Sequence, residues 1–227
     1  MVADDPNRAM LRLVAEQLGS LRDEVVFVGG TTLGLLLTDE AAPSPRPTKD
    51  VDLVVRAGSP AAYHHELRPR LLRLGFTELI APSAPICAWM VQGIRVDIMS
   101  IDASAFGFTN RWYVDAIRSP LEVGLEGIGI RVVSSVYFMA TKLEAFLGRG
   151  GRDFYASHDL EDIVALVDGR PELVAEVAEE GGAVAEFIGA TVADLLSEPD
   201  FINALPGHVV DPGRHRVVRE RLVSLAT

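Results

Sequence analysis

Two periods of apolar residues run along this chain and divide it into elements. In the opening stretch "PNRAMLRLVAEQLGSL", Met10, Leu11, Val14 and Leu18 recur at helical spacing. "EVVFVGG" then reads as a buried strand that ends in two glycines, and Leu33, Leu36 and Leu37 of "TTLGLLLTDE" suit a helix. After the proline-rich loop "AAPSPRPTK" comes a second strand, "DVDLVVR". "SPAAYHHELRPRLLRLG" predicts a helix with Ser59 as its N-cap, Pro60 in the first turn and Gly75 near its end, kinked or split at Pro69. "ICAWMV" and "IRVDIMS" predict a hairpin turning at Gln92-Gly93. A helix over "NRWYVDAIRSP" and short strands in "LEVGLEGIGIRVVS" follow.

From Ser135 onward the pattern is helical: "VYFMATKLEAFLGR", "HDLEDIVALVD", "PELVAEVAEE", "GAVAEFIGATVADLLS" and "GRHRVVRERLVSL". The order predicts an α/β (α+β) fold, with a mixed sheet and flanking helices over residues 1–133 and a helical region over 134–227. No repeat and no low-complexity segment interrupts it.

Composition adds limits. A chain of 227 residues with 48% apolar content is long and apolar enough to fold around a sizeable core. No apolar run approaches the roughly 20 residues of a membrane span. The acidic start "MVADDPNRAML" lacks a signal-peptide core, so a cytoplasmic chain is expected. The single Cys87 fits a reducing compartment. A net charge of −11 argues against a broad nucleic-acid-binding face, although a local basic groove stays open. Arg149 and Arg152 in "GRGGRD" and the four arginines of "GRHRVVRER" are the candidates for one, against plainer readings as an interhelical turn and a salt-bridged helix.

The chemistry concentrates in three places. Asp50 and Asp52 alternate with Val51 and Leu53, so both carboxylates share one face of a strand. Like charges held together raise each other's pKa or attract a cation, and magnesium takes one or two carboxylates together with substrate phosphates. Upstream, Gly29 and Gly30 lie between a strand and a helix, where backbone N–H groups can approach a phosphate and Thr31 and Thr32 can donate hydroxyls. A plain tight turn also explains the glycines. Downstream, Asp97 brings a third carboxylate on another strand, with Arg95 on the same face, which also fits an ordinary Arg–Asp surface pair. Three converging carboxylates can hold two metals.

This succession is similar to the nucleotidyltransferase superfamily with the DNA polymerase β-like core. The resemblance implies Gly29 and Gly30 at the nucleotide phosphates, Asp50, Asp52 and Asp97 as ligands of two Mg2+ ions, and Asp97 as base for the incoming hydroxyl. The family often has Gly-Ser where this chain has Gly-Gly-Thr, and the interval to the first Asp is lengthened by "DEAAPSPRP". A narrower resemblance, in pieces over about residues 25–168, is to the abortive-infection (AbiEii-type) toxin nucleotidyltransferases, which include mycobacterial tRNA-modifying toxins. It rests on Gly29, Gly30 and Thr31; Arg46 and Thr48; Lys142; and Asp159 with Asp162.

This implies a nucleoside triphosphate substrate bound by Gly29, Gly30, Thr31, Thr48 and Lys142, and catalytic roles for Lys142 and Asp159. It also implies a tRNA or other macromolecular acceptor and a cognate antitoxin. By their positions alone, Lys142 is either a point charge for the triphosphate or a solvated helix lysine, and Asp159, Glu161 and Asp162 suit a helix's first turn. Two alternatives stay open: transfer to a small cationic acceptor such as an aminoglycoside, which the acidity favours, and an inactive binding module of the same fold.

Overall fold

A computed structural model of the chain describes residues 5–56, 59–81, 84–148 and 153–227. Arg149 and Arg152 lie outside the described residues. In chain order, the first elements are α1 (Arg8–Leu18), β1 (Val25–Val28), α2 (Leu33–Leu36), β2 (Asp50–Val55), α3 (Pro60–Ala62), α4 (Arg68–Arg73) and β3 (Thr77–Glu78). β4 (Ala88–Val91), β5 (Ile94–Ser100), α5 (Tyr113–Arg118), β6 (Leu121–Leu125) and β7 (Ile128–Val132) follow. The remainder is helical: α6 (Ser135–Gly148), α7 (His158–Gly169), α8 (Leu173–Glu180), α9 (Gly182–Ser197), α10 (Pro199–His208) and α11 (His215–Leu225). Among the described residues no helix is long and apolar enough to cross a membrane.

The fold is a mixed sheet with flanking helices and a helical C-terminal region, divided into two compact units. The sheet unit comprises Pro6–Thr32 and Arg46–Ser134. Its seven strands run in the order β3-β4-β5-β2-β1-β7-β6. β2 lies antiparallel to β1 and parallel to β5, and β1 lies parallel to β7. Val25, Val26, Phe27 and Val28 are all buried, as expected for a central strand covered on both faces. β4 and β5 form a hairpin whose turn residues, Gln92 and Gly93, have φ of 47° and 80°, the left-handed pair that a two-residue turn requires.

The region from Ser59 to Arg73 begins as read from its caps, with the Ser59 hydroxyl accepting from the Ala62 N–H at 3.1 Å. A π-helical turn over Tyr63–Leu67 precedes Pro69. Such a turn re-registers the backbone, and Pro69 then falls in the first turn of α4, where its missing N–H costs little. Trp89 is fully buried and donates its indole N–H to the Tyr63 hydroxyl at 3.0 Å, and Trp112 is also buried.

The helical unit comprises Leu33–Pro45 and Ser135–Thr227, with Asp5. The chain therefore leaves the sheet unit after the glycine bend, contributes α2 and the proline-rich loop to the helices, and returns at Arg46. Thr38 and Asp39 donate backbone N–H groups to the Gly169 carbonyl at 2.9 and 3.0 Å. A Cβ on Gly169 would strike Leu37 and Ala42, so the absence of a side chain there lets the loop close on the end of α7. Arg214 joins Asp168 at 2.6 Å and Asp39 at 2.5 Å, and Arg221 caps the carbonyls of Val167 and Asp168. Two arginines of the basic C-terminal stretch thus serve internal structure.

Candidate active site

The site in the sheet unit is set by the register of three strands. β1 ends at Val28, which pairs with Asp52. The chain then turns at Gly29 with φ of 73°, a conformation that disfavours side chains. A Cβ on Gly29 would also run into the Asp52 carboxylate, so Asp52 packs directly on the backbone of the bend. A 3-10 turn over Gly30–Thr32 follows. Thr32 closes it by donating both its N–H and its hydroxyl to the Gly29 carbonyl, and the Thr31 hydroxyl donates to the Asp50 carbonyl at 3.1 Å. Both threonines are buried, and their hydroxyls bond backbone carbonyls of the bend and of β2.

Thr48 stands just before β2. Its N–H donates to Asn7 Oδ1 at 2.8 Å, and its hydroxyl lies 3.3 Å from both Asn7 Oδ1 and the Asp50 carbonyl. Asn7 also donates from Nδ2 to the Arg46 carbonyl at 3.0 Å. Asn7 occupies the N-cap position of α1 but makes no side-chain cap bond there. Its amide instead holds the Arg46–Thr48 lead-in from almost complete burial. Its partners lie about 40 residues away in the chain, so this tie was not readable from the sequence.

The parallel register sets Asp50 beside Arg95 and Asp52 beside Asp97. Residues paired in this way project from the same face of a sheet, so three carboxylates and one guanidinium share a single patch. Arg95 holds Asp97 in a fork, with Nε to Oδ1 at 2.8 Å and a terminal nitrogen to Oδ2 at 2.5 Å. These bonds to Asp97 raise the Arg95 pKa, and the charges of Asp97, Asp50 and Asp52 add to the effect while burial opposes it. Nearby Cys87 has its thiol pushed up to about 12, chiefly by burial and then by Asp97.

The family resemblance implies a divalent metal, and the donor set fits one in chemistry. Asp50 and Asp52 are half-buried carboxylates beside a bend with no side chain, and hard cations take oxygen ligands. The three acids are not drawn together, however. Among the described residues no group of three or more His, Cys, Asp or Glu side chains is gathered as a metal site. Asp97 has its carboxylate committed to Arg95.

The other two expected residues lie in the helical unit. Lys142 is on α6, whose Phe138, Leu143 and Phe146 are buried. Its ammonium lies 2.7 Å from Asp162 and 3.1 Å from Asp159, with the Phe138 ring 5.9 Å away. Both aspartates are almost wholly buried at the start of α7, where Ser157 caps the helix by accepting from the Leu160 N–H. The lysine is therefore not the solvated helix residue that its position alone allowed. It belongs to a buried ionic triad with two carboxylates. His158 is exposed and lies 3.2 Å from Glu161.

The family described as nucleotidyl transferase AbiEii toxin, type IV toxin–antitoxin system, matches residues 12–209. No curated protein matches the chain. Among solved structures, an antigenic nucleotidyltransferase-like protein from Paracoccidioides brasiliensis is similar at 17% identity and a TM-score of 0.49, over 82% of this chain and 93% of its own. The antibiotic-resistance factor ANT(2'')-Ia is similar at 13% identity and 0.49, over 89% of this chain and 99% of its own. JHP933 from Helicobacter pylori is similar at 13% identity and 0.47, over 97% of this chain and 88% of its own. With a family match spanning residues 12–209, from α1 into the C-terminal helices, the chain belongs to the AbiEii toxin family and is a nucleotidyltransferase.

Proposed function

We propose that this protein transfers a nucleotidyl group from a nucleoside triphosphate to a hydroxyl of tRNA, as a toxin restrained by a cognate antitoxin. The acceptor oxygen forms a bond to the α-phosphorus, the bond from that phosphorus to the β-phosphate oxygen breaks, and pyrophosphate leaves. The acceptor's proton passes to a carboxylate of the patch, with Asp97 as the base.

The observation that carries this reading is the shared sheet face of Asp50, Asp52 and Asp97 beside a glycine bend that admits no side chain. Asp50 and Asp52, with Asp97, would hold magnesium, which supplies charge neutralisation for the phosphates and activates the attacking oxygen. Gly29, Gly30 and Thr31 place backbone and no bulky side chain at the position proposed for the phosphates. The Asn7–Thr48 tie and the Thr31–Asp50 bond fix the start of β2, so the two aspartates are held before substrate arrives. Positioning of this kind is the larger share of catalysis in phosphoryl chemistry. Lys142, locked by Asp159 and Asp162, is proposed as a preorganised charge for the triphosphate, and Asp159 as the residue that keeps it oriented.

The net charge of −11 favours a second acceptor class, small cationic molecules such as aminoglycosides. Asp50→Ala and Asp52→Ala tests the site itself. Each variant should keep its circular dichroism spectrum and lose nucleotide incorporation by roughly 100-fold or more. Incorporation at the wild-type rate in either variant overturns the assignment.

A further inference from the structure

Arg95 stands among three carboxylates on the sheet face, all of which favour its charge. It stands beside Asp50 in the parallel register, and its guanidinium reaches along β5 to Asp97, which stands beside Asp52. Both oxygens of Asp97 are engaged by the fork. The fork is the geometry in which a guanidinium binds a carboxylate best, and a lysine cannot reproduce it. Asp97 therefore has no oxygen that is not already facing a cation.

The exposures of the two partners differ. The Arg95 side chain is 34% exposed and that of Asp97 only 11%. Arg95 has solvent to swing into, whereas Asp97 is fixed in a central part of the sheet.

We infer that Arg95 is an intramolecular counter-cation that competes with the metal for Asp97 and so sets the metal affinity of the site. This rests on the proposal that Asp50, Asp52 and Asp97 bind a divalent ion. A metal that recruits Asp97 meets the guanidinium on the same carboxylate, and the repulsion between the two cations opposes its binding and favours release of the fork. The protein on its own thus rests with its third carboxylate satisfied, and the cost of releasing Arg95 lowers the affinity for the ion. Arg95 is a positioning and affinity-determining residue in this scheme and acts through Asp97.

The test is direct titration of the whole chain with Mn2+ alone, following free Mn2+ by electron paramagnetic resonance. Arg95→Met should bind Mn2+ about tenfold more tightly than wild type, the scale expected when one opposed charge is removed at contact distance. Arg95→Lys, which keeps the charge and loses the fork, should fall between them. The gain must depend on Asp97: in an Asp97→Asn background, Arg95→Met should change affinity by no more than about twofold. Equal gain in both backgrounds would mean that Arg95 acts only through its distant field, and overturns the competition. Equal affinity of wild type, Arg95→Met and Arg95→Lys, with binding lost in Asp52→Asn, overturns this inference while leaving the metal site intact. Absence of Mn2+ binding in wild type and both Arg95 variants overturns the metal site and this inference together.

Discussion

At residue 29 two independent constraints coincide. The backbone is left-handed, and the space that a methyl group would take is filled by the Asp52 carboxylate. Gly29→Ala should therefore destabilise the protein by about 1–3 kcal/mol, read as a lower midpoint in chemical denaturation, and should push Asp52 from its position. A variant as stable as wild type contradicts this packing. Alternation along "DVDLVVR" made the shared face of Asp50 and Asp52 legible in the sequence, whereas the parallel register that sets Asp97 beside Asp52 was not. The Arg95–Asp97 pair was legible as well, but only as an ordinary surface pair. Its burial depends on β5 being flanked by β4 and β2, which no local pattern states. Asn7 was hidden for a related reason: its partners are about 40 residues away, in the lead-in to β2.

At the scale of elements, caps and periodicity carried most of the information. The hairpin at Gln92-Gly93, the Ser59 cap and the long α6, α7 and α9 were all readable. α10 was not read as a helix, because Pro206 and Gly207 near its end resemble a loop. The two-residue β3 is held by its antiparallel pairing with β4 and carries no pattern of its own. The excursion of Leu33–Pro45 into the helical unit was also hidden, since it is fixed by distant partners. Arg170 illustrates this: it donates to the Leu36 carbonyl and forks onto Glu176, which also accepts from Ser135.

That cluster gives a prediction with a definite sign. The Arg170 bonds hold the Glu176 carboxyl below the usual carboxylate range, with burial opposing and Ser135 adding to the effect. A depressed folded pKa contributes stability at neutral pH that is lost as acid protonates the group. Glu176→Gln should be less stable than wild type near pH 7, and the gap should narrow as the pH falls below the unfolded value of about 4.5 toward about 3. A gap that stays constant across that range contradicts the ionic origin of the contribution.

At the scale of the whole molecule, an acidic chain of 227 residues has to bring phosphates to carboxylates. Long-range charge does not favour that approach, so the proposed function places the burden on local devices: the glycine bend and the ion proposed at Asp50 and Asp52. Composition sums charges and says nothing about where they meet, so the net charge does not by itself decide the acceptor. The most direct test is to incubate the protein with magnesium, total RNA and an aminoglycoside panel, separately with each of the four α-labelled nucleoside triphosphates. Label from at least one triphosphate is expected in tRNA, with pyrophosphate released in equal amount and none with Asp52→Ala. Label in an aminoglycoside and none in RNA contradicts the tRNA assignment, and no labelled acceptor with any of the four contradicts the account as a whole.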